Sequence, residues 1–582
     1  MPWYESRRAV RRLPGWLGPA AVGTGAVLLV AGAVLAGSTM FPAHLAGRSA
    51  CDGPQASATV AASPDHADVL KRVAAEWSLE QPRVDGACAS VRVVRAESAT
   101  VASQLGTATP GGRPDAWAPE SAVWAGLAAG RPEAAAALPP NGLGLAATPV
   151  VMAVPRERAA ALGWPQQKLS WRAVLGGLSQ DPTWGRYGRP DWGRFVVGMG
   201  DPTKSTAALH TLLAVADADK DGAIGPDEVP NELRLERSVG VHGTEADLLA
   251  RTGGKGPVSA FPATEQMVLA HNAQTESTQL VPVYPADGVA DADHPFLLLR
   301  GDWVTPQRRQ VAQAFADFAL GSAGRTAYGR AGFRDRDRSA TEIPVATAGG
   351  ADTVAKAYPT RALPAAAQAA QALVRWRALR RPANVLAAID TSGSMAEQAP
   401  GLPVTKLAVF QKAAAQAVRL FNAQSRLELW EFSSELAGPN DYRQLVPGRP
   451  LGTKLGAVDQ RTAVIGAVDA MRPTGATGLY DTIDAGYREI NRLWRADQQN
   501  ILVVMTDGKN EDRAGLSLPQ LVARLKAARN TEKPVTVIMI AYGSDADVGS
   551  LNQAAAAVGA RTYVARNPAD IGKVFLAAMV NR

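Results

Sequence analysis

Cysteine is nearly missing from this chain. Cys51 and Cys88 are the two present among 582 residues, so at most one disulfide can form. Under oxidising conditions they can pair and tie the start of the chain to the first domain; the alternative is two unpaired thiols. Histidine is scarce and one-sided: His44, His66, His210, His242, His271 and His294 all precede the last 288 positions, leaving the C-terminal half without an imidazole base. A Gly-x-Ser-x-Gly elbow and a Gly-Lys-Ser/Thr phosphate loop are also lacking, which argues against hydrolase chemistry. Despite a net charge of +7 and a pI of 9.4, no long Lys/Arg block occurs outside the N-terminus, and the dispersed basic residues often sit beside acids. That pattern argues against nucleic acid as a partner. With 46% hydrophobic and 20% charged residues the chain is globular rather than disordered, while 40 Pro and 55 Gly signal many turns and linkers.

What is present begins with topology. Arg7, Arg8, Arg11 and Arg12 precede a nearly uncharged span from Leu13 to Phe41, long enough to cross a bilayer of roughly 30 Å. The positive flank predicts a cytoplasmic tail over 1–12 and a transmembrane anchor or signal over 13–41, with everything after about Ser38 outside the cytoplasm. Its length favours an uncleaved signal anchor over a cleaved peptide, whose apolar region usually runs 7–15 residues. The expected location is the cell membrane, single-pass, with extracellular domains.

A chain of this length exceeds one ordinary core, so two or three domains are expected. From Ala56 onward, short apolar runs alternate with helical stretches in a βαβ rhythm: strands at Ser57–Ala62, Ser90–Arg95, Thr148–Val154, Arg194–Met199, Val258–Phe261 and Leu280–Tyr284, helices at Asp65–Leu79 and Ala99–Leu105. The phrases Ala61-Ala62-Ser63-Pro64, Asp115 to Ser121, Thr148 to Val154 and Asp201 to Thr206, with His294-Pro295-Phe296 and Gly301-Asp302-Trp303 before a helix Thr305–Leu320, resemble extracellular solute-binding proteins of the type II periplasmic-binding-protein kind. The resemblance spans about Ser57 to Phe333 and implies two lobes that close over a ligand. Ser63, Ser121, Thr148, Ser205 and Thr206 fall at predicted strand-to-helix junctions, where free N–H groups favour an anion, and form the candidate ligand cleft. The same residues also serve as plain N-caps. Trp117 and Trp124 either line that cleft or fill core.

Inside this domain, Asp217, Asp219, Asp221, Gly222, Ile224 and Glu228 fit D-x-D-x-D-G-x-I-x-x-x-E, and resemble the loop of an EF-hand. The resemblance implies Ca²⁺ bound over 217–228 by the three aspartates, the carbonyl position Ala223 and Glu228. The competing reading is an unoccupied acidic surface turn. A helix Thr206–Ala216 enters the loop; Pro226 and Pro230 crowd the exit, where the second is expected to break a following helix after one turn.

Beyond the charged patch Asp335–Arg338 lies a connector of linker composition, then an Ala-rich helix over Arg361–Arg381 with Leu373, Val374 and Trp376 on its apolar side. It either docks on the neighbouring domain or acts as a spacer. Apolar runs at Val385–Ile389, Arg426–Phe432, Ile501–Met505, Val535–Ala541 and Arg561–Ala565 alternate with helices at Thr405–Ala423, Leu479–Leu493, Leu518–Ala528 and Val548–Ala557, as in a doubly wound sheet. Such sheets bind ligands at the carboxyl ends of strands, where Asp390 and Asp507 fall.

Asp390-x-Ser392-x-Ser394, Thr477 in Gly475-Ala476-Thr477-Gly478-Leu479, and Asp507 in Thr506-Asp507-Gly508 resemble the von Willebrand factor A family with a complete metal-ion-dependent adhesion site. The resemblance covers about Ala383 to Val580 and implies that Asp390, Ser392, Ser394, Thr477 and Asp507 surround Mg²⁺ (or Mn²⁺), one position staying open for a partner's carboxylate. The expected fold class is therefore α/β, with a bilobed periplasmic-binding-protein-like domain (51–338), a linker and helix (339–382) and a doubly wound, mainly parallel-sheet von Willebrand factor A domain (383–582), behind an N-terminal transmembrane helix. The expected function is non-enzymatic: a membrane-anchored binding or adhesion protein that captures a partner carboxylate and carries a domain for a small solute or surface polymer. The rival readings are a metal-dependent hydrolase and a subunit of a transport or metal-insertion complex.

Overall fold

The computed structural model describes residues 51–107, 112–180, 183–225, 228–253, 256–274, 279–343, 354–543 and 546–565. The basic tail 1–12 and the apolar span 13–41 lie outside the described residues, among which no helix is long and apolar enough to cross a membrane. Neither cysteine is free: Cys51 and Cys88 are both disulfide-bonded.

Two larger sheets build the first half, beside a parallel pair formed by Val197–Met199 and Val239–His242. In one, the strand Gln55–Ala62 pairs in parallel with Ala87–Arg95 on one side and Ala116–Ala118 on the other, and Pro295–Leu298 returns antiparallel to Ala116–Ala118. In the other, the fully buried strand Thr148–Pro155 is flanked antiparallel by Leu280–Val283, Asp291–Ala292 and Phe261–Thr264. The chain passes between the sheets twice, after Gly144 and again after Ala292, which makes the unit two-lobed. Two strand expectations shift. Residues 258–260 make only isolated bridges and the ladder begins at Phe261, while the strand expected from Arg194 starts at Val197.

The helix Ala366–Arg380 joins the halves. Its residues Ala369, Ala372, Leu373 and Trp376 recur at one-face spacing, and all four are buried in a cluster that also holds Trp124 and Ala128 of one lobe and Leu209, Leu213 and Leu235 of the other. Val374 does not share that face; one residue on from Leu373 it is rotated by about 100°, and it is 64% exposed. The helix also starts later than Arg361, because Pro364 precedes it and Arg361 is drawn off to Asp217. Past Arg381 and Pro382 the chain enters the strand Ala383–Asp390, and Gln499 Nε2 donates to Ala378 O at 2.8 Å, so the helix end is tied to the following sheet.

That sheet has the strand order Asn440–Pro450, Arg426–Ala437, Ala383–Asp390, Gln499–Thr506, Thr536–Tyr542, Arg561–Ala565. All pairings are parallel except the edge hairpin formed by Arg426–Ala437 and Asn440–Pro450. Alternation decides the two faces. Val385, Ile389, Ile501, Val503 and Ile540 pack under Phe410, Val464 and Val468, whereas Leu386, Leu502, Val504 and Met539 pack under Ile483, Tyr487, Leu521 and Leu551. With helices on both faces, the central strands carry continuous apolar runs and their polar groups gather at the strand ends.

Trp376 is fully buried where both lobes meet the connecting helix. Trp376→Ala is expected to destabilise the chain by about 3–5 kcal/mol, measured by chemical denaturation; a loss below about 1 kcal/mol would show that the helix is a spacer and not part of the core.

Candidate functional site

The strand Ala383–Asp390 ends in Asp390, and the backbone turns at once because Ser392 N–H donates to Asp390 Oδ1 at 2.8 Å. Asp390 Oδ2 accepts from Thr506 Oγ1 at 2.6 Å, on the neighbouring strand. Ser392 Oγ and Ser394 Oγ lie 3.1 Å apart, and Ser394 Oγ donates to Asp507 Oδ1 at 2.8 Å. Thr477 arrives from the loop before the helix Leu479–Arg492. A methyl group at Gly508 would stand 3.2 Å from Thr477 Oγ1 and 3.8 Å from Ser394 Oγ, so both hydroxyls border Asp507-Gly508. The loops are pinned to one another: Gly393 N–H donates to Gly475 O at 2.9 Å and Thr474 N–H to Thr391 O at 2.6 Å. The five residues marked in the sequence thus converge at the carboxyl ends of two adjacent parallel strands.

Asp390, Ser392, Thr477 and Asp507 are buried; Gly393 is exposed and Ser394 half-buried, which marks the side open to solvent. Burial pushes the Asp390 carboxyl up to about 6, with the charge of Asp507 adding to the effect. Asp507 Oδ2 is buried and faces the ammonium of Lys406 at 3.0 Å. Two buried carboxylates and three hydroxyls are hard oxygen donors, and that donor set fits a hard divalent cation.

Sequence reading missed Lys406. Its ammonium lies 3.0 Å from Asp507 Oδ2 and 2.7 Å from Glu397 Oε2, and the side chain is 5% exposed. Burial opposes its charge, but Glu397 and Asp507 outweigh that and hold it cationic well above the usual lysine range. A signal existed: Lys406 is the first residue of a helix capped by Thr405, where the helix dipole disfavours a cation unless a nearby anion demands it.

In the loop 217–228, carboxylate oxygens of Asp217, Asp219 and Asp221 lie within 4.8 Å of one another, Gly222 takes a positive φ of 83°, and Ile224 turns into the core. Glu228 bends back over the loop, its Oε1 accepting Ala218 N–H at 2.7 Å and its Oε2 accepting Gly225 N–H at 3.1 Å. Ala223 N–H goes to Asp221 Oδ1 at 2.8 Å. Arg361 donates to Asp217 Oδ2 at 2.8 Å, so one positive charge already reaches this loop from far along the chain. Pro230 does not break the exiting helix. It sits in the first turn of Val229–Ser238, where its missing N–H and fixed φ are tolerated.

The five cleft hydroxyls all have partners inside the protein. Ser63 Oγ donates to Asp65 Oδ1, Ser121 Oγ meets His210 Nε2 at 3.0 Å, and Thr206 Oγ1 accepts from Trp124 Nε1 at 2.7 Å. Ser205 Oγ caps its own helix through Ala208 N–H, and Thr148 Oγ1 accepts Gln266 N–H. Trp117 and Trp124 are both buried. The contacts of Ser121 with His210 and of Trp124 with Thr206 run from one lobe to the other. Beside them, buried His294 Nε2 meets Asp65 Oδ2 at 2.6 Å. Burial works against both charges, yet each outweighs it for the other: Asp65 is held well below the carboxylate range and His294 above its ordinary value.

The chain carries a doubly wound domain with oxygen donors gathered at its strand ends, joined to a two-lobed α/β unit. Residues 58–334 match the bacterial extracellular solute-binding protein model and residues 384–576 the von Willebrand factor type A domain model. The chain thus joins an extracellular solute-binding domain to a von Willebrand factor type A domain. Two uncharacterized proteins of Mycobacterium tuberculosis are each 26% identical over 541 residues, which cover 90% of this chain and 76% of theirs. Similar solved structures include a von Willebrand factor type A protein from Catenulispora acidiphila (20% identity, TM-score 0.27, 34% of this chain and 42% of that one). They also include a periplasmic thiamin binding protein (14% identity, TM-score 0.38, 56% and 96%) and a mussel byssus proximal thread matrix protein with a zinc-occupied metal site (18% identity, TM-score 0.26, 34% and 47%).

The Asp65 and His294 pair sets a pH dependence. A raised histidine contributes stability that is complete below its unfolded value near 6.5 and lost as pH rises through its folded value; a depressed carboxylate contributes above about 4 and loses this only in strong acid. Asp65→Asn is therefore expected to lower the melting temperature more at pH 5 than at pH 9. Equal losses at both would show that no charge pair forms.

Proposed function

We propose that this chain is a membrane-anchored, extracytoplasmic recognition protein whose Asp390, Ser392, Ser394, Thr477 and Asp507 hold Mg²⁺, and that the ion takes a carboxylate from a protein partner. The two matched domains support an extracellular binding or adhesion role. The observation that carries the metal reading is the convergence of those five oxygen-bearing side chains at the ends of two adjacent strands, with both carboxylates fully buried. Such an ion, when bound, supplies an electrophilic position for an anionic oxygen.

The protein's own residues prepare that position. Thr506 and the Ser392 N–H orient Asp390, and Ser394 orients Asp507. Lys406 shares its charge between Asp507 and Glu397. Counting Asp390, Asp507 and Glu397 against Lys406 gives a formal charge of −3 + 1 = −2, which one divalent cation cancels among these four residues. The exposed Gly393 and half-buried Ser394 leave the approach open. The solute-binding domain is coupled to this site through the helix Ala366–Arg380, which packs on both lobes and runs on into the strand that ends at Asp390. In the same reading the loop 217–228 is a structural Ca²⁺ site, with Arg361 reducing the charge left for the ion.

Crosslinking and pull-down from intact cells, with and without Mg²⁺, tests topology and metal dependence together. Partner capture by the wild type should fall by about tenfold or more on adding EDTA or on Asp390→Ala. Capture that ignores EDTA and is unchanged in Asp390→Ala would rule out the metal's role.

A further inference from the structure

Three more carboxylates gather beside the Asp390 site. Asp441 belongs to the edge strand Asn440–Pro450, Asp481 to the first turn of the helix Leu479–Arg492, and Asp512 to the loop after the strand Gln499–Thr506. One carboxylate oxygen from each lies within 4.8 Å of the other two. Like charges at that spacing repel, and this protein commonly meets clustered or buried acids with bases: Arg361 for Asp217, Arg334 for Glu265, Arg488 and Arg524 for Asp484. Among the described residues, no ion pair reaches Asp441, Asp481 or Asp512.

Asp441 is the telling member. It is 4% exposed; its Oδ1 accepts Glu435 N–H at 2.8 Å, but its Oδ2 is buried without a hydrogen-bond partner. An unpaired buried carboxylate oxygen is costly unless a cation or a proton reaches it. The space around the three acids is kept clear by glycine. A Cβ at Gly478 would lie 2.2 Å from Asp441 Oδ2, and one at Gly515 would lie 2.0 Å from Asp481 Oδ2 and 2.3 Å from Asp512 Oδ2. Backbone donors steady the other two acids: Leu516 N–H donates to Asp481 Oδ2 at 2.8 Å and Ala514 N–H to Asp512 Oδ1 at 2.9 Å.

We propose that Asp441, Asp481 and Asp512 form a second cation site, for Ca²⁺, next to the Asp390 site. Three carboxylates on a hairpin edge, a helix start and a loop give the dense, adaptable oxygen set that Ca²⁺ takes and that the octahedral, reluctantly dehydrated Mg²⁺ does not require. The site also touches its neighbour through the backbone. Glu511 and Asp512 N–H groups donate to Thr477 O at 2.9 and 3.3 Å, and Thr477 N–H donates to Glu511 Oε2 at 3.3 Å. An ion held by Asp512 therefore fixes the loop that positions Thr477. That consequence rests on the role proposed for Thr477; the binding of Ca²⁺ itself does not.

The test uses the full chain carrying Asp390→Ala and Glu228→Gln, which remove a carboxylate from the Asp390 site and the bidentate ligand position from the loop 217–228. Calorimetric titration with Ca²⁺ should show one bound ion and a rise in melting temperature. Adding Asp441→Asn and Asp512→Asn should weaken that binding at least about tenfold while leaving the metal-free melting temperature equal or higher, because like-charge repulsion is relieved. No binding at millimolar Ca²⁺ in the first variant, or unchanged binding in the second, would overturn the site. A failure here leaves the Asp390 site untouched, since the test is made in its absence.

Discussion

Asp390 and Asp507 are two fully buried carboxylates at the ends of neighbouring parallel strands, and the cost of taking these acids out of water is the constraint on which the loops at this edge of the C-terminal domain depend. A doubly wound sheet brings such residues together without choice, because every parallel strand delivers its carboxyl end to the same edge. The loops that follow then decide what the carboxylates meet. Here they meet Thr506, Ser394 and the ammonium of Lys406. Hydroxyls and one shared cation lessen the cost of burial without removing it, and it is this remaining cost that the proposed divalent ion would offset.

The same sheet is mechanically continuous with the first half. Trp376 and Leu373 lie in one apolar cluster with side chains of both lobes, and two residues after their helix ends the chain is already the central strand. Contacts between the lobes, through Trp124 with Thr206 and Ser121 with His210, use hydroxyls that an anion-binding cleft would leave free. The helix Ala366–Arg380 is thus packed against both lobes and continues, across Arg381 and Pro382, into the strand that carries Asp390.

Much of this was legible in the sequence for simple reasons. Uninterrupted apolar runs such as Ile501–Met505 mark strands buried on both faces, and Asp390, Ser392 and Ser394 follow such a run directly, so local pattern and chemistry coincide. What was not legible depends on partners distant along the chain. Arg361 reaches Asp217 across 144 positions, and the partners of Thr206 and Ser121 come from the opposite lobe. Val374 was assigned to the buried stripe because a hydrophobic residue beside Leu373 reads as core, although one step around a helix faces elsewhere. Pro230 read as a breaker because a proline two positions past the loop is harmful inside a helix and harmless at its start. Lys406 was overlooked because a lone lysine is usually solvated, and only its place at a helix start, against the dipole, hinted at an anion beside it.

The most direct test of the account is anomalous scattering from crystals of the chain grown with Mn²⁺. The account predicts a strong peak bordered by Asp390, Ser392, Ser394, Thr477 and Asp507, with Lys406 still facing Glu397. A map with no peak at that position, and with Lys406 remaining as the sole counter-charge of Asp507, would contradict it.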